Sequence, residues 1–132
     1  MTFIDTNVLL DLSLDDPGHA AWSQAQLETA KLRGPLLIVD AVYAELSVGY
    51  DRAEDVDAFV AAAELRRVSM PTEALFLAGK AFLAYRRRGG SRSGVMPDFF
   101  IGAVAAVRRI PLLTRDAARY RTYFPTVDLI AP

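Results

Sequence analysis

The chain has 132 residues, a net charge of -1, 52% hydrophobic and 23% charged residues, no cysteine and a single histidine. One domain over residues 1–132 with a real core is expected, while disulfides, cysteine-ligated metal centres and any mechanism built on a histidine pair are excluded. No apolar stretch approaches the ~20 residues that cross a bilayer, and Asp5 interrupts an N-terminus that no basic segment precedes, so neither a membrane nor a leader is expected and the cytoplasm is the expected location.

Residues 2–5 read as a short buried strand, and the acid at its end needs a partner, because a desolvated bare carboxylate is too costly. Asp11, Asp15 and Asp16 read as a solvent-facing polar loop. A helix is expected from His19 to Arg33, with Trp22, Ala25, Thr29 and Leu32 along one face, bounded by Pro17-Gly18 and Gly34-Pro35. Leu36 to Val39 is a continuous apolar run, the mark of a strand covered on both faces. Asp40 reads as the N-cap of a helix through Gly49. A further helix is expected from Ala53 to Arg67, with Glu54, Asp55 and Asp57 near its positive end, then a short strand over Val68-Ser69-Met70. Thr72 caps a helix from Glu73 to Arg88, with Leu75, Ala78, Gly79 and Phe82 inward. Pro97 opens a helix to Arg109. Strands are expected at Ile110 to Thr114 and, at an edge, Val127 to Ile130.

Strands alternating with helices predict an α/β fold with a mostly parallel sheet of about five strands and helices on both faces. In such sheets ligands bind outside the carboxyl ends of the strands. Four acids fall at such places: Asp5 ends the first strand, Glu45 lies mid-helix, Asp98 is in a first turn and Asp116 follows the strand ending at Thr114. Singly, each has a plain explanation, as a helix-dipole acid, a cap or a solvated position. Together they describe a site for a hard divalent cation, since Mg²⁺ and Mn²⁺ favour carboxylate and water oxygens. Such ions neutralise a phosphodiester and activate an attacking water with no help from Cys, His or Lys.

Charge is unevenly spread. Residues 1–85 hold 13 acids and 6 bases, whereas residues 86–132 hold 9 arginines and 3 acids. Such asymmetry, with the cluster Arg86, Arg87, Arg88 and Arg92 in a Gly-rich loop, suggests a polyanion or an acidic partner. Equally, Arg86 to Arg88 would complement a helix C-terminus.

Phe3-Ile4-Asp5-Thr6-Asn7-Val8-Leu9-Leu10-Asp11 resembles the opening of a PIN-domain protein. Val42-Tyr43-Ala44-Glu45-Leu46, the stretch Pro97-Asp98 through Ala105, and Leu112-Leu113-Thr114-Arg115-Asp116 resemble the segments carrying that family's other acids. The segment Tyr120 to Pro125 is similar to its usual ending. At this length the chain most resembles the VapC-type toxins of toxin–antitoxin pairs. That resemblance implies a three-layer α/β/α sandwich. It implies a catalytic metal site of Asp5, Glu45, Asp98 and Asp116 holding Mg²⁺ or Mn²⁺, with Asp5 and Asp98 the most direct ligands. Thr6 and Thr114 would bond the carboxylates or the scissile phosphate, and Asn7 would fix the loop. The implied activity is endonucleolytic hydrolysis of RNA, with Arg86, Arg87, Arg88, Arg92 and Arg115 as candidate contacts to its phosphates, and the implied partners are a VapB-type antitoxin and a second copy in a homodimer. Two other readings remain: a PIN-like module that binds RNA or protein without cutting, and an α/β phosphotransfer protein. Against the last, Asn7 stands where a phosphatase of that kind carries a second Asp, and no Lys lies at a strand end.

Overall fold

The computed structural model describes residues 1–91 and 96–132. In chain order the elements are β1 (Thr2–Ile4), α1 (Thr6–Ser13), α2 (Ala20–Arg33), β2 (Leu36–Val39), α3 (Asp40–Ser47), α4 (Ala53–Ala62), β3 (Leu65–Val68), α5 (Thr72–Arg87), α6 (Met96–Arg108), β4 (Leu112–Leu113), α7 (Ala118–Tyr123) and β5 (Leu129–Ile130). The five strands form one sheet in the order β3-β2-β1-β4-β5. Every pairing is parallel; Phe3 stands opposite Leu37 on one side and Leu112 on the other. The expected α/β/α architecture is the one observed.

This order places the functional end. From β1 the chain winds outward through β2 and β3, then returns to the other side of β1 for β4 and β5. The winding reverses between β1 and β4, and a crevice opens outside the carboxyl ends of strands at such a point. Asp5 follows β1, and Thr114 follows β4.

The core is the sheet's own apolar runs with one face of each helix. Phe3, Ile4, Leu36, Ile38, Leu112 and Leu113 are all at most 2% exposed, as expected for strands covered on both sides. α5 packs on α6 through small residues, burying Ala74, Ala78 and Ala81. Small side chains let two helices approach, so the larger Leu75, Phe76 and Leu83 are left outside.

Several local expectations are corrected. Residues 6–13 form a helix, where an apolar run beside a strand shows no clear period. Asp11 therefore lies on a helix and is buried, not in a solvated loop. In α2 the inward residues are Ser23, Leu27 and Ala30, whereas Leu32 is 89% exposed. Asp40 is the first residue of α3, not its cap. The helix expected to reach Arg67 ends at Ala62, because Glu64 takes a left-handed conformation (φ 57°) that turns the chain into β3. That strand covers Leu65–Val68 rather than Val68-Ser69-Met70; its exposed Arg66 and Arg67 hide its character. In α5, Leu75 and Gly79 face outward rather than inward.

Candidate metal centre

Asp5 sits where β1 gives way to α1, in extended backbone (φ -74°, ψ 150°), and its carboxylate does not cap the helix. It turns instead across the sheet. Oδ2 accepts hydrogen bonds from the hydroxyls of Tyr120 (2.8 Å) and Thr114 (2.9 Å), with the Asn7 amide at 3.5 Å. Asp5 is 3% exposed. Burial first, and the nearby charge of Asp98 second, push its pKa up from 3.8 to about 6, against the pull of Tyr120 and Thr114.

Glu45 lies on α3 and is half-buried, its carboxylate accepting a 2.7 Å hydrogen bond from the Thr6 hydroxyl. Burial raises its pKa; the Thr6 hydrogen bond opposes this and Asp98 adds to it. Asp98, in the first turn of α6, is also half-buried and forms an ion pair with Arg119. Burial raises its pKa most; Arg119 opposes this and Asp116 adds to it. Asp116 is exposed, and its loop is fixed by the Thr114 hydroxyl, which accepts from the Asp116 N–H at 3.1 Å.

The repulsions link the four acids through Asp98: it disfavours charge on Asp5 and Glu45, and Asp116 disfavours charge on it. Arg119 is the cation seated on this group. The group is open rather than tight. Among the described residues, no three of these acids bring ligand atoms within 4.8 Å of one another. That suits an ion such as Mg²⁺, which takes one or two carboxylates and keeps several waters. The oxygen-only donor set of carboxylates and hydroxyls fits a hard cation.

Asp11, Asp16 and His19 do bring three donor atoms within 4.8 Å, a spacing that can hold a metal. Here, however, Arg115 takes both oxygens of Asp11, at 2.9 and 3.0 Å, and Ser23 adds a 2.7 Å hydrogen bond. Asp16 already accepts from the backbone of Gly18 and His19. The cation seated on Asp11 is Arg115, whose side chain is 30% exposed.

Two residues at the centre, Arg119 and Tyr120, are not marked out by the sequence. Both lie on α7, a six-residue helix. The signal available was Tyr120 itself, an aromatic residue four positions beyond an acid at a strand end. The end of α7 is packed through Tyr123 and Phe124 into an aromatic cluster with Phe82, Tyr85 and Phe99, whose neighbouring ring centroids lie 5.4–6.1 Å apart. The Arg119 guanidinium lies 5.5 Å from the Tyr85 centroid. Asn7 ties the loops together, its side-chain oxygen accepting from the Arg115 N–H at 3.1 Å. Arg86, Arg87 and Arg88 are exposed at the C-terminal end of α5, and Arg88 lies over the Tyr123 ring at 5.6 Å. Arg92 falls outside the described residues.

No helix among the described residues is long and apolar enough to cross a membrane. Solved structures of the same fold include VapBC2 from Rickettsia felis bound to a DNA fragment from its promoter (17% identity, 98% of this chain, 97% of that chain, TM-score 0.72). FitAcB from Neisseria gonorrhoeae is similar (16%, 98% and 96%, TM-score 0.68), as is VapBC-1 from nontypeable Haemophilus influenzae (15%, 98% and 96%, TM-score 0.70). No curated protein matches in sequence. A family model for the PIN domain, however, matches residues 2–125, and the chain belongs to that family.

Proposed function

We propose that this protein is a divalent-metal-dependent endoribonuclease of the VapC type, silenced by a VapB-type antitoxin. The observation that carries the reading is the arrangement around Asp98. Three carboxylates, on Asp5, Glu45 and Asp98, are partly or wholly buried, and each is driven toward its neutral form by burial or by the others. Buried acids so arranged are stabilised by a cation between them. The PIN family membership supports nuclease chemistry, and the toxin–antitoxin complexes among the structural neighbours support the partner.

In this reading Asp5 and Asp98 are the direct ligands of Mg²⁺ or Mn²⁺, and Glu45 and Asp116 complete the shell or orient the attacking water. A bound ion neutralises the phosphodiester and lowers the pKa of that water. Thr6 holds Glu45, and Thr114 holds both Asp5 and the Asp116 loop. The exposed Arg86, Arg87 and Arg88, with Arg92, offer charge to RNA phosphates that the acids would otherwise repel. The chain acts in the cytoplasm, as a homodimer.

The test is cleavage of a mixed RNA pool with Mn²⁺, with EDTA, Asp5→Asn and Asp98→Ala as controls. Cutting that EDTA and both substitutions remove, with a loss of at least about 10²-fold, is expected. Full activity in Asp98→Ala would sink the metal assignment. No metal-dependent cutting of any pool would favour a PIN module that binds without cleaving.

A further inference from the structure

The Asp5 carboxylate is hydrogen-bonded unevenly. Tyr120, Thr114 and Asn7 all direct their side-chain donors at Oδ2, and among the described residues no side-chain donor is directed at Oδ1. An oxygen with two short hydroxyl donors has little lone-pair capacity left for a cation. Tyr120 is 1% exposed and its hydroxyl meets this carboxylate from α7. The same hydroxyl lies close enough to favour the charged form of Asp98. The ring is buried on α7, and the same helix is packed through Tyr123 against Tyr85 and Phe99, so the hydroxyl is aimed before any ion arrives.

We infer that Tyr120 is a positioning residue for the metal centre: by occupying Oδ2 together with Thr114, it locks the Asp5 carboxylate and presents Oδ1 alone to the ion. The inference rests on the metal-dependent reading above and adds a named residue to it. Groups that orient a ligand in this way set metal affinity nearly as strongly as ligands do, typically by 10–100-fold.

The test measures Mn²⁺ binding by calorimetry, independently of activity, on the full chain and on Tyr120→Phe, which keeps the buried ring and removes only the hydroxyl. Tyr123→Phe is the control for loss of a hydroxyl elsewhere on α7. Tyr120→Phe is expected to weaken Mn²⁺ binding by about 10–100-fold and to lower kcat with KM for RNA unchanged. Tyr123→Phe should leave the Kd at its parental value. Should Tyr120→Phe not fold, judged by circular dichroism, Thr114→Val removes the other short hydrogen bond to the same oxygen and is expected to weaken binding in the same direction. A folded variant with the parental Kd would overturn the role of Tyr120 while leaving the metal site standing. If the parent chain binds no Mn²⁺, the metal-dependent reading and this inference both fall.

Discussion

Gly102 on α6 and the ring of Phe124, which ends α7, are in direct contact: a Cβ at position 102 would lie 2.4 Å from Phe124 Cδ2. A side chain there would meet the ring, so glycine at this position lets Phe124, at the end of α7, pack against α6. α7 is the element that brings Tyr120 to Asp5 and Arg119 to Asp98. A residue with no side chain of its own therefore governs the surroundings of the acids.

Gly102→Ala should destabilise the chain by about 1–3 kcal/mol, the usual cost of overpacking. It should also weaken Mn²⁺ binding, because α7 must shift. Thermal melting with a parallel calorimetric titration measures both. Parental values in each would show that α7 is not held by this packing.

Asp5 gives the metal-free protein a defined pH dependence. Its pKa is about 6 when folded against 3.8 for the free side chain. An acid whose folded pKa is raised favours the folded state at low pH, fully so below the unfolded value. As pH climbs through the window up to about 6, the unfolded chain ionises first and that stability is lost. The loss is on the order of 3 kcal/mol. Melting in EDTA should therefore fall between pH 4 and pH 6, and Asp5→Asn should melt higher than the parent above that range. Glu45 and Asp98 are shifted in the same direction, so the variant keeps part of the slope. Identical slopes in both proteins would contradict the burial of charge at Asp5.

Arg115 and Asp11 form a bidentate pair in which Asp11 is 3% and Arg115 30% exposed at the side chain. Replacing Arg115 by Met strands a buried carboxylate. The expected cost is about 2–3 kcal/mol, less than for a wholly buried pair because Arg115 is partly solvated. Adding Asp11→Leu should recover part of that loss. Denaturant unfolding of the single and double variants measures it; equal stability of parent and Arg115→Met would show the pair contributes nothing.

Converting Arg86, Arg87 and Arg88 together to Gln should weaken RNA binding and flatten its salt dependence. For a single-stranded RNA, every phosphate that these arginines no longer neutralise lowers the slope of log K against log salt by about 0.7. Binding titrations at several salt concentrations decide it, and an unchanged slope would assign these residues to the α5 terminus alone.

The parallel sheet was legible because its strands are continuous apolar runs, and the four acids stood out because a carboxylate at the end of such a run demands a partner. What stayed hidden had physical reasons. α1 shares an apolar run with β1, so its period cannot be separated from the strand's. β3 carries two exposed arginines and resembles the helix before it. Asp11 looked solvated because its partners, Ser23 and Arg115, are remote in sequence. Arg119 and Tyr120 lie on a helix too short to show a pattern, and their role depends on the packing of Phe124 against Gly102.

Anomalous scattering from crystals grown or soaked with Mn²⁺ tests the central claim most directly. A peak between Asp5 and Asp98, at roughly 2.0–2.3 Å from a carboxylate oxygen of each, is the expected result. A peak only at Asp11, Asp16 and His19, or none near Asp98, would contradict it.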